Sequence, residues 1–587
     1  MGAAVGHAGV DCCVPNGENA EPGTTSQTLP SGSCFVDSEP ACAFDCDEDG
    51  APDKESPQAE STAPSAVPYL RRAPTESLHA DAELIRSVSL ATTLKRFGRL
   101  WRLRPEKMSK AQLEKLWATS VGTDSFDTFL SHTWWTPGYQ KYISLLLHFY
   151  WHYALSAMIV TWLVILMLYG WDILPMPLPY PANFVQFRGE IMSGPWSLLL
   201  SFVAALVTLA LAPALPSCRT YRCFYDVACI HQTDAVLRTR GIYGIGGYLS
   251  VAKELRILWS GPRPVGAASH PSGRRPLHCK AHTHTHTGPL LSRLWCIFEL
   301  AAYRHANARG KLTFQPLFIE RNFLALWPCW FFVPITYTMV NAVSNGLTFI
   351  PGFISLAAVI PGAHAIRRGF QEQESSLQQM ANFDLSKVSC SDDADRQFIL
   401  AALVEWYGST AAFTDYVRGP LRAELVKAAE AATAPLSYCL LIYSPALAMS
   451  FDVLGALWNA GAPSEVIWSY FVGETISSAI MSVAVTQQVL IGLCQRFAKP
   501  RFESRAMDYL QTAGVVLVYS MVSVLALAKV PLYRNYGMPG ALIGLALSVL
   551  FFAAMVTRGF KRLRASVKKQ ANADGKGTSG RRSETAS

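Results

Sequence analysis

Between residues 142 and 171 the chain carries no Asp, Glu, Lys or Arg, and the same holds between 191 and 218. Each run can hold the roughly twenty apolar residues needed to cross a hydrocarbon core, so the two in succession constrain the chain to a membrane hairpin. Residues 322 to 366 are uncharged for 45 positions. As helix that is about 68 Å, more than two crossings of roughly 30 Å. A break at Asn341 to Gly346 divides this run into two more helices. Four further apolar segments lie near 435–458, 467–493, 510–530 and 539–557. Only 16% of the 587 residues are charged, against about a quarter in an ordinary soluble chain, which fits eight spans.

Eight crossings put both termini on one side, and the basic residues say which. Loop 495–508 holds Arg496, Lys499, Arg501 and Arg505, and the tail after 557 opens with Arg558, Lys561, Arg562 and Arg564. On the opposite side Arg188 stands alone between the first two helices, none falls in 341–346 or 459–466, and only Lys529 and Arg534 flank the final turn. The positive-inside rule therefore assigns both termini, 219–321 and 367–434 to the cytosol.

Residues 1–70 hold twelve acids against Lys54 alone. They lack apolar periodicity and read as a disordered acidic tail. Neither a signal-peptide core nor a myristoylation site is legible, since Gly6 stands where Ser or Thr is expected. Asp45, Asp47, Asp49 and Gly50 match the first positions of a calcium loop, but Ser56 replaces its closing Glu and Pro52 interrupts it. Residues 71–120 reverse the sign, with eleven Lys or Arg against five acids. Lys95, Arg96, Arg99, Arg102 and Arg104 make a basic juxtamembrane face suited to anionic headgroups. Although the net charge is +8, no aromatic-interleaved basic groove speaks for nucleic acid. The fourteen Cys, scattered from Cys12 to Cys494, spell neither a disulfide framework nor a metal site.

The cytosolic segments carry a different pattern. Phe126 to Ser131 alternates like a strand and leads into His132 and Trp134; Cys223 to Asp226 is a second strand closing in an acid. Ile242, Ile245 and Leu249 mark a helix face, and Leu255 to Ser260 is a third strand. A helix over Arg293 to Tyr303 follows, and Leu312 to Phe318 is a fourth strand whose Pro316 argues for an edge. Strands alternating with helices predict a parallel sheet with polar residues converging at one end.

The order Phe-Leu-Ser-His, Phe-Tyr-Asp with Cys229-Ile-His-Gln232, Leu-Trp-Ser, and Arg-Leu-Trp-Cys-Ile-Phe-Glu-Leu resembles the TIR-like domain of multipass membrane proteins of alveolate algae. The likeness covers at most a third of the chain. It implies that Glu299 is the glutamate that cleaves NAD and Trp295 the aromatic residue four positions before it, with Ser131, Asp226 and Ser260 bordering the substrate crevice. It equally admits a non-catalytic interaction module that self-associates through this domain. The spacing has its own logic, because residues i and i+4 share a helix face about 6 Å apart. A carboxylate there can stabilise the cation that develops on the ribose while a ring stacks on the leaving base. No metal or cofactor is needed, and NAD enters as substrate. The bland alternative has Trp295 anchoring the helix to the sheet and Glu299 paired with Arg293 or Arg304.

Two departures from the family pattern stand out. A membrane hairpin replaces the first helix of the domain, and the segment from Pro262 to Pro289, with His282, His284 and His286 in a His-Thr repeat, interrupts the run into the signature helix. The repeat has the look of a retained intron, so the insert is expected to be disordered and dispensable. The glycines from Gly241 to Gly247 follow no strand directly and are expected to serve close packing. Ser391 to Asp395 predicts a helix start, with Trp406 and Phe413 packing onto the sheet domain.

The sequence is thus read as a multipass α-helical membrane protein of about eight transmembrane helices, with a cytosolic α/β TIR-like domain (short parallel sheet) split by the first transmembrane hairpin. The expected divisions are the tail 1–70, the basic segment 71–120, the TIR-like domain in 121–140 and 219–321 with its insert 262–289, and the hairpins 142–218 and 322–366. A cytosolic helical segment 367–434, four transmembrane helices in 435–557 and a basic tail 558–587 complete the chain. Its partner is the lipid bilayer. The competing class is a transporter or channel-like protein regulated by the α/β domain, for which Asp452 and Glu474 are the intramembrane acids, with Lys529 at the same level as a partner.

Overall fold

A computed structural model describes residues 81–134, 136–216, 219–259, 293–343, 349–390, 392–431 and 436–581. The acidic tail with its Asp45–Gly50 motif, Ser260 and the insert 262–289 lie outside the described residues.

The sheet has six strands: β1 (Arg86–Ser89), β2 (Val121–Gly122), β3 (Phe126–Ser131), then, after the hairpin of apolar helices, β6 (Arg222–Phe224), β7 (Ala252–Trp259) and β8 (Lys311–Pro316), in the order β2-β1-β6-β3-β7-β8. A separate pair, β4 (Leu178–Phe184) and β5 (Phe187–Ser193), lies within the hairpin. Strands β6, β3, β7 and β8 are mutually parallel, with Phe129 opposite Phe224 on one side and Leu255 on the other. All four strands expected from alternation therefore share one sheet, across a hairpin of about ninety residues. Pro316 sits on the edge strand, where its missing N–H costs no ladder bond. The sheet is nonetheless mixed, because β1 runs antiparallel to β6 and β2. This strand comes from the segment read only as a basic juxtamembrane face. The helix after it, Leu90–Arg102, buries Leu90, Leu94 and Trp101 while Lys95, Arg96, Arg99 and Arg102 stay exposed.

Five helical stretches among the described residues are long and apolar enough to cross a membrane: Gly138–Gly170, Trp196–Ala214, Tyr438–Asn459, Ser464–Arg496 and Arg505–Ala554. The first shows apolar residues outward, with Val160, Leu163, Val164 and Met167 about half exposed, as suits a surface solvated by lipid. The fifth contains 510–530 and most of 539–557. It is interrupted at Ala528–Lys529 and turned at Gly537, whose φ of 58° is readily adopted by glycine. The run 322–366 falls in helices Leu317–Val343 and Phe349–Ala381, which carry Pro328, Pro334 and Pro361.

Strands β4 and β5 form an antiparallel hairpin with seven paired positions where the sequence promised only a bare loop. Pro179, Pro181 and Gly189 mask its alternation, but Ala182, Phe184 and Ile191 are buried against the helices around 453–470. In the segment 367–434, Asp392 caps helix Asp393–Tyr407, accepting from the Ala394 amide at 2.7 Å. Trp406 does pack onto the sheet domain's helix, 5.5 Å from Phe298, whereas Phe413 stacks on Tyr407 and Tyr416 within its own segment. Gly241 behaves as expected, since a Cβ there would stand 3.0 Å from Ile230.

A buried polar seam joins the sheet to the long helices. Glu254 and Arg256 of β7 pair at 2.6 Å, and Arg256 donates to Gln315 of β8 at 2.9 Å. Gln315 donates to the Ser144 hydroxyl on helix Gly138–Gly170 at 2.7 Å. Glu320 accepts from Tyr438 at 2.9 Å, tying in helix Leu436–Asn459.

Candidate functional site

The chain runs from β3 to β6 on one side of it and returns to β7 on the other. The strand order therefore reverses at the carboxyl end of β3, the place where open α/β sheets bind ligands. Ser131 ends β3 and is 2% exposed. Its hydroxyl is close enough to favour the charged form of Glu299, which helix Leu294–Ala306 brings over the strand ends. Asp226 follows β6 at the start of the short helix Asp226–Cys229 and accepts from the Trp134 indole at 3.3 Å and the Val227 amide at 2.9 Å. Three of the expected site residues are thus together.

Burial dominates the electrostatics. It pushes the Glu299 carboxyl up to about 8, and the nearby Asp226 charge adds to the rise while the Ser131 hydroxyl and Arg293 oppose it. Asp226 is pushed up to about 6 by burial, against the Val227 amide, Lys141 and Trp134; a third of its side chain still meets solvent, which moderates the rise. His132 is held well below its ordinary value by burial and by Lys141, so it is neutral. Its Nδ1 lies 3.4 Å from the Leu130 carbonyl, which assigns the proton to that nitrogen and leaves Nε2, 4.0 Å from Asp226, as a bare acceptor. Burial raises the Cys296 thiol, first of all, so it is no nucleophile at neutral pH.

Sequence reasoning missed two members. Trp101, from the basic segment, roofs the cluster with ring centroids 5.3 Å from His132 and 4.6 Å from Tyr225. Lys141 is 1% exposed and holds its ammonium 5.1 Å from the Trp134 ring and 5.8 Å from Trp101. Its signal was a lone lysine at the mouth of an uncharged helix. Three buried atoms here, Trp101 Nε1, His132 Nε2 and Glu299 Oε2, have no hydrogen-bond partner. Unpaired buried polar atoms are costly, and their concentration at a switch point marks a place shaped for a ligand.

Trp295 is directed elsewhere. Its indole N–H donates to Asp395 at 2.9 Å and its ring packs on Phe298 and Phe398, so it fastens the helix to Asp393–Tyr407 and not to the sheet. The sharing of one ligand by Trp295 and Glu299 is therefore absent from this geometry. Arg304, offered as a partner for Glu299, instead pairs with Glu424.

Of the two acids expected within the apolar helices, Asp452 accepts from the Ser197 amide at 2.8 Å, the Leu198 amide at 3.2 Å and the Tyr169 hydroxyl at 3.0 Å. It caps helix Trp196–Leu211 from a neighbouring helix. Glu474 accepts from Tyr533 at 2.9 Å. Lys529, expected as their partner, holds its ammonium among serines of the helix bundle. No group of three His, Cys, Asp or Glu among the described residues could hold a metal ion. Comparison with protein-family models, curated proteins and solved structures gave no match.

Proposed function

We propose that this chain is a membrane-anchored TIR-like signalling protein whose crevice cleaves the nicotinamide–ribose bond of NAD. The observation that carries the reading is the idle, buried Oε2 of Glu299 beside Ser131 and Asp226 at the sheet's switch point. A carboxyl kept protonated by burial ionises when a cation is placed against it, so a pyridinium-bearing substrate creates its own counter-charge. The charge then stabilises the ribosyl cation as the bond breaks. Lys141 is near enough to Asp226 to favour its ionised form and offers a positive charge for the substrate's phosphates.

The five long apolar stretches, with the paired halves of the fifth and the proline-bearing helices of 317–381, support eight crossings with both termini cytosolic. Exposed Lys95, Arg96, Arg99 and Arg102 then face anionic lipid. A second reading, a non-catalytic module acting through self-association, is favoured by the engagement of Trp295 with Asp395.

The test is NAD hydrolysis by the full chain concentrated on lipid vesicles, beside Glu299→Gln. Activity reduced more than about a hundredfold by the substitution supports catalysis by Glu299. Equal activity of the two proteins refutes it. No activity in either leaves the interaction module as the better account.

A further inference from the structure

The last helices hold a polar assembly that the sheet does not use. Residues Phe471–Ser482 are wound as a π-helix, a geometry that is rare and concentrated at functional sites. Beside it the long stretch 505–554 is broken at Ala528–Lys529, and the chain then folds back so tightly that a Cβ on Gly540 would meet the Leu532 carbonyl oxygen at 2.0 Å. This fold-back sets Lys529 against Gly544 and Ser548, well inside the stretch and not at its end. The ammonium donates to the Ser477 carbonyl at 2.8 Å, the Ser477 hydroxyl at 2.6 Å and the Ser482 hydroxyl at 2.7 Å, and also to the Ser548 hydroxyl.

The three serines are 0%, 7% and 6% exposed, so four oxygens wrap a positive charge inside an apolar bundle. One turn before Ser478, Glu474 accepts from Tyr533, while the Ser478 hydroxyl donates to the Gly473 carbonyl at 3.0 Å. Ser477 and Ser548 bond each other at 3.0 Å. One turn beyond Ser482, buried Thr486 and Gln487 continue the line, and Gln487 donates to Tyr519 at 3.3 Å. Two turns along that helix, Thr512 meets His364 at 3.0 Å, and Asp508 pairs with Arg367 at 3.1 Å.

Broken helices that bare backbone carbonyls around intramembrane charges are the usual setting of ion pathways, and isolated structural need does not call for both an acid and a lysine. We infer that Glu474 and Lys529, with Ser477, Ser482 and Ser548, form a proton-exchange site. The Lys529 ammonium gives up one proton to water and becomes a neutral amine that the three serine hydroxyls keep in place. The amine regains a proton from the neighbouring Glu474 carboxyl, and Glu474 takes one from water on its own side. Only protons move, and no oxidant or reductant is involved. The assignment is independent of the crevice and of NAD.

The full chain is reconstituted in vesicles carrying a lumenal pH dye, and a potassium diffusion potential is imposed with valinomycin. The wild-type protein is expected to shift lumenal pH faster than empty vesicles. Lys529→Arg keeps the charge and the oxygen contacts but cannot release a proton, so it should slow the shift at least about a hundredfold. Glu474→Gln should do the same, and Ser477→Ala, which removes one hydroxyl, should slow it about tenfold and serves if the arginine variant does not fold. A wild-type rate equal to that of empty vesicles overturns the proposal. So does an undiminished rate in well-folded Lys529→Arg or Ser477→Ala, or uptake of labelled sodium or rubidium in place of the pH change.

Discussion

Asp452 and Glu299 are both shielded carboxylates carried on helices, yet they live in opposite circumstances. Asp452, on helix Leu436–Asn459, is saturated, with two helix-terminal amides and a tyrosine hydroxyl of the first hairpin turned to it. Glu299 at the strand ends has the Ser131 hydroxyl and an oxygen with no partner. The difference separates two uses of a buried acid. One is spent within the fold, and its removal strands other polar groups. The other is held in reserve at a cost to the fold, and its removal relieves that cost.

The largest expected effect is on the saturated acid. Asp452→Ala leaves two amides and a hydroxyl unpaired, and should cost about 3–5 kcal/mol in detergent-solubilised unfolding. Wild-type unfolding of this variant would erase the contrast. Next comes Glu299→Gln, which should lose more than about a hundredfold in NAD hydrolysis, about 2.7 kcal/mol of transition-state stabilisation, with an unfolding temperature equal to or above that of the parent.

The contrast also has a pH signature. Glu299 binds its proton more tightly folded than unfolded, so its contribution is complete below about 4.3 and is lost as pH rises toward about 8. Stability should fall across that window by up to about 1.4 kcal/mol per pH unit, and the Gln variant should flatten the slope. Affinity for a cationic ligand should move the other way, rising with pH through the same range, as titration of NAD binding by Glu299→Gln and parent would reveal. The smallest effect is that of Trp295→Phe, which loses one hydrogen bond to Asp395 and should cost about 1 kcal/mol. A large loss of activity with unchanged stability would instead return the ring to the crevice.

The comparison also explains what could be read in advance. Apolar runs and the alternation of Phe126–Ser131 are local signals, and they located the long helices and all four parallel strands. Ser131, Asp226 and Glu299 were legible because each ends a strand or sits at a fixed helical spacing. Strand β1 was not, because the four residues Arg-Ser-Val-Ser carry too little period of their own and take strand form by pairing with β2 and β6. Nor was the direction of Trp295, which depends on Asp395 a hundred residues away. The saturation of Asp452 was equally hidden, since its partners come from two other helices.

Strands β3 and β6 are neighbours in the sheet, and between them the chain makes its first excursion into the long apolar helices. Translation delivers β3 and then the hairpin before β6 exists, so the sheet's central pairing waits on the hairpin's own folding. Until the hairpin is seated, Phe126, Phe129 and Leu130 present an unpartnered apolar strand, the sort of edge that recruits other chains. Closure of the sheet thus reports that the intervening helical hairpin has folded clear of it.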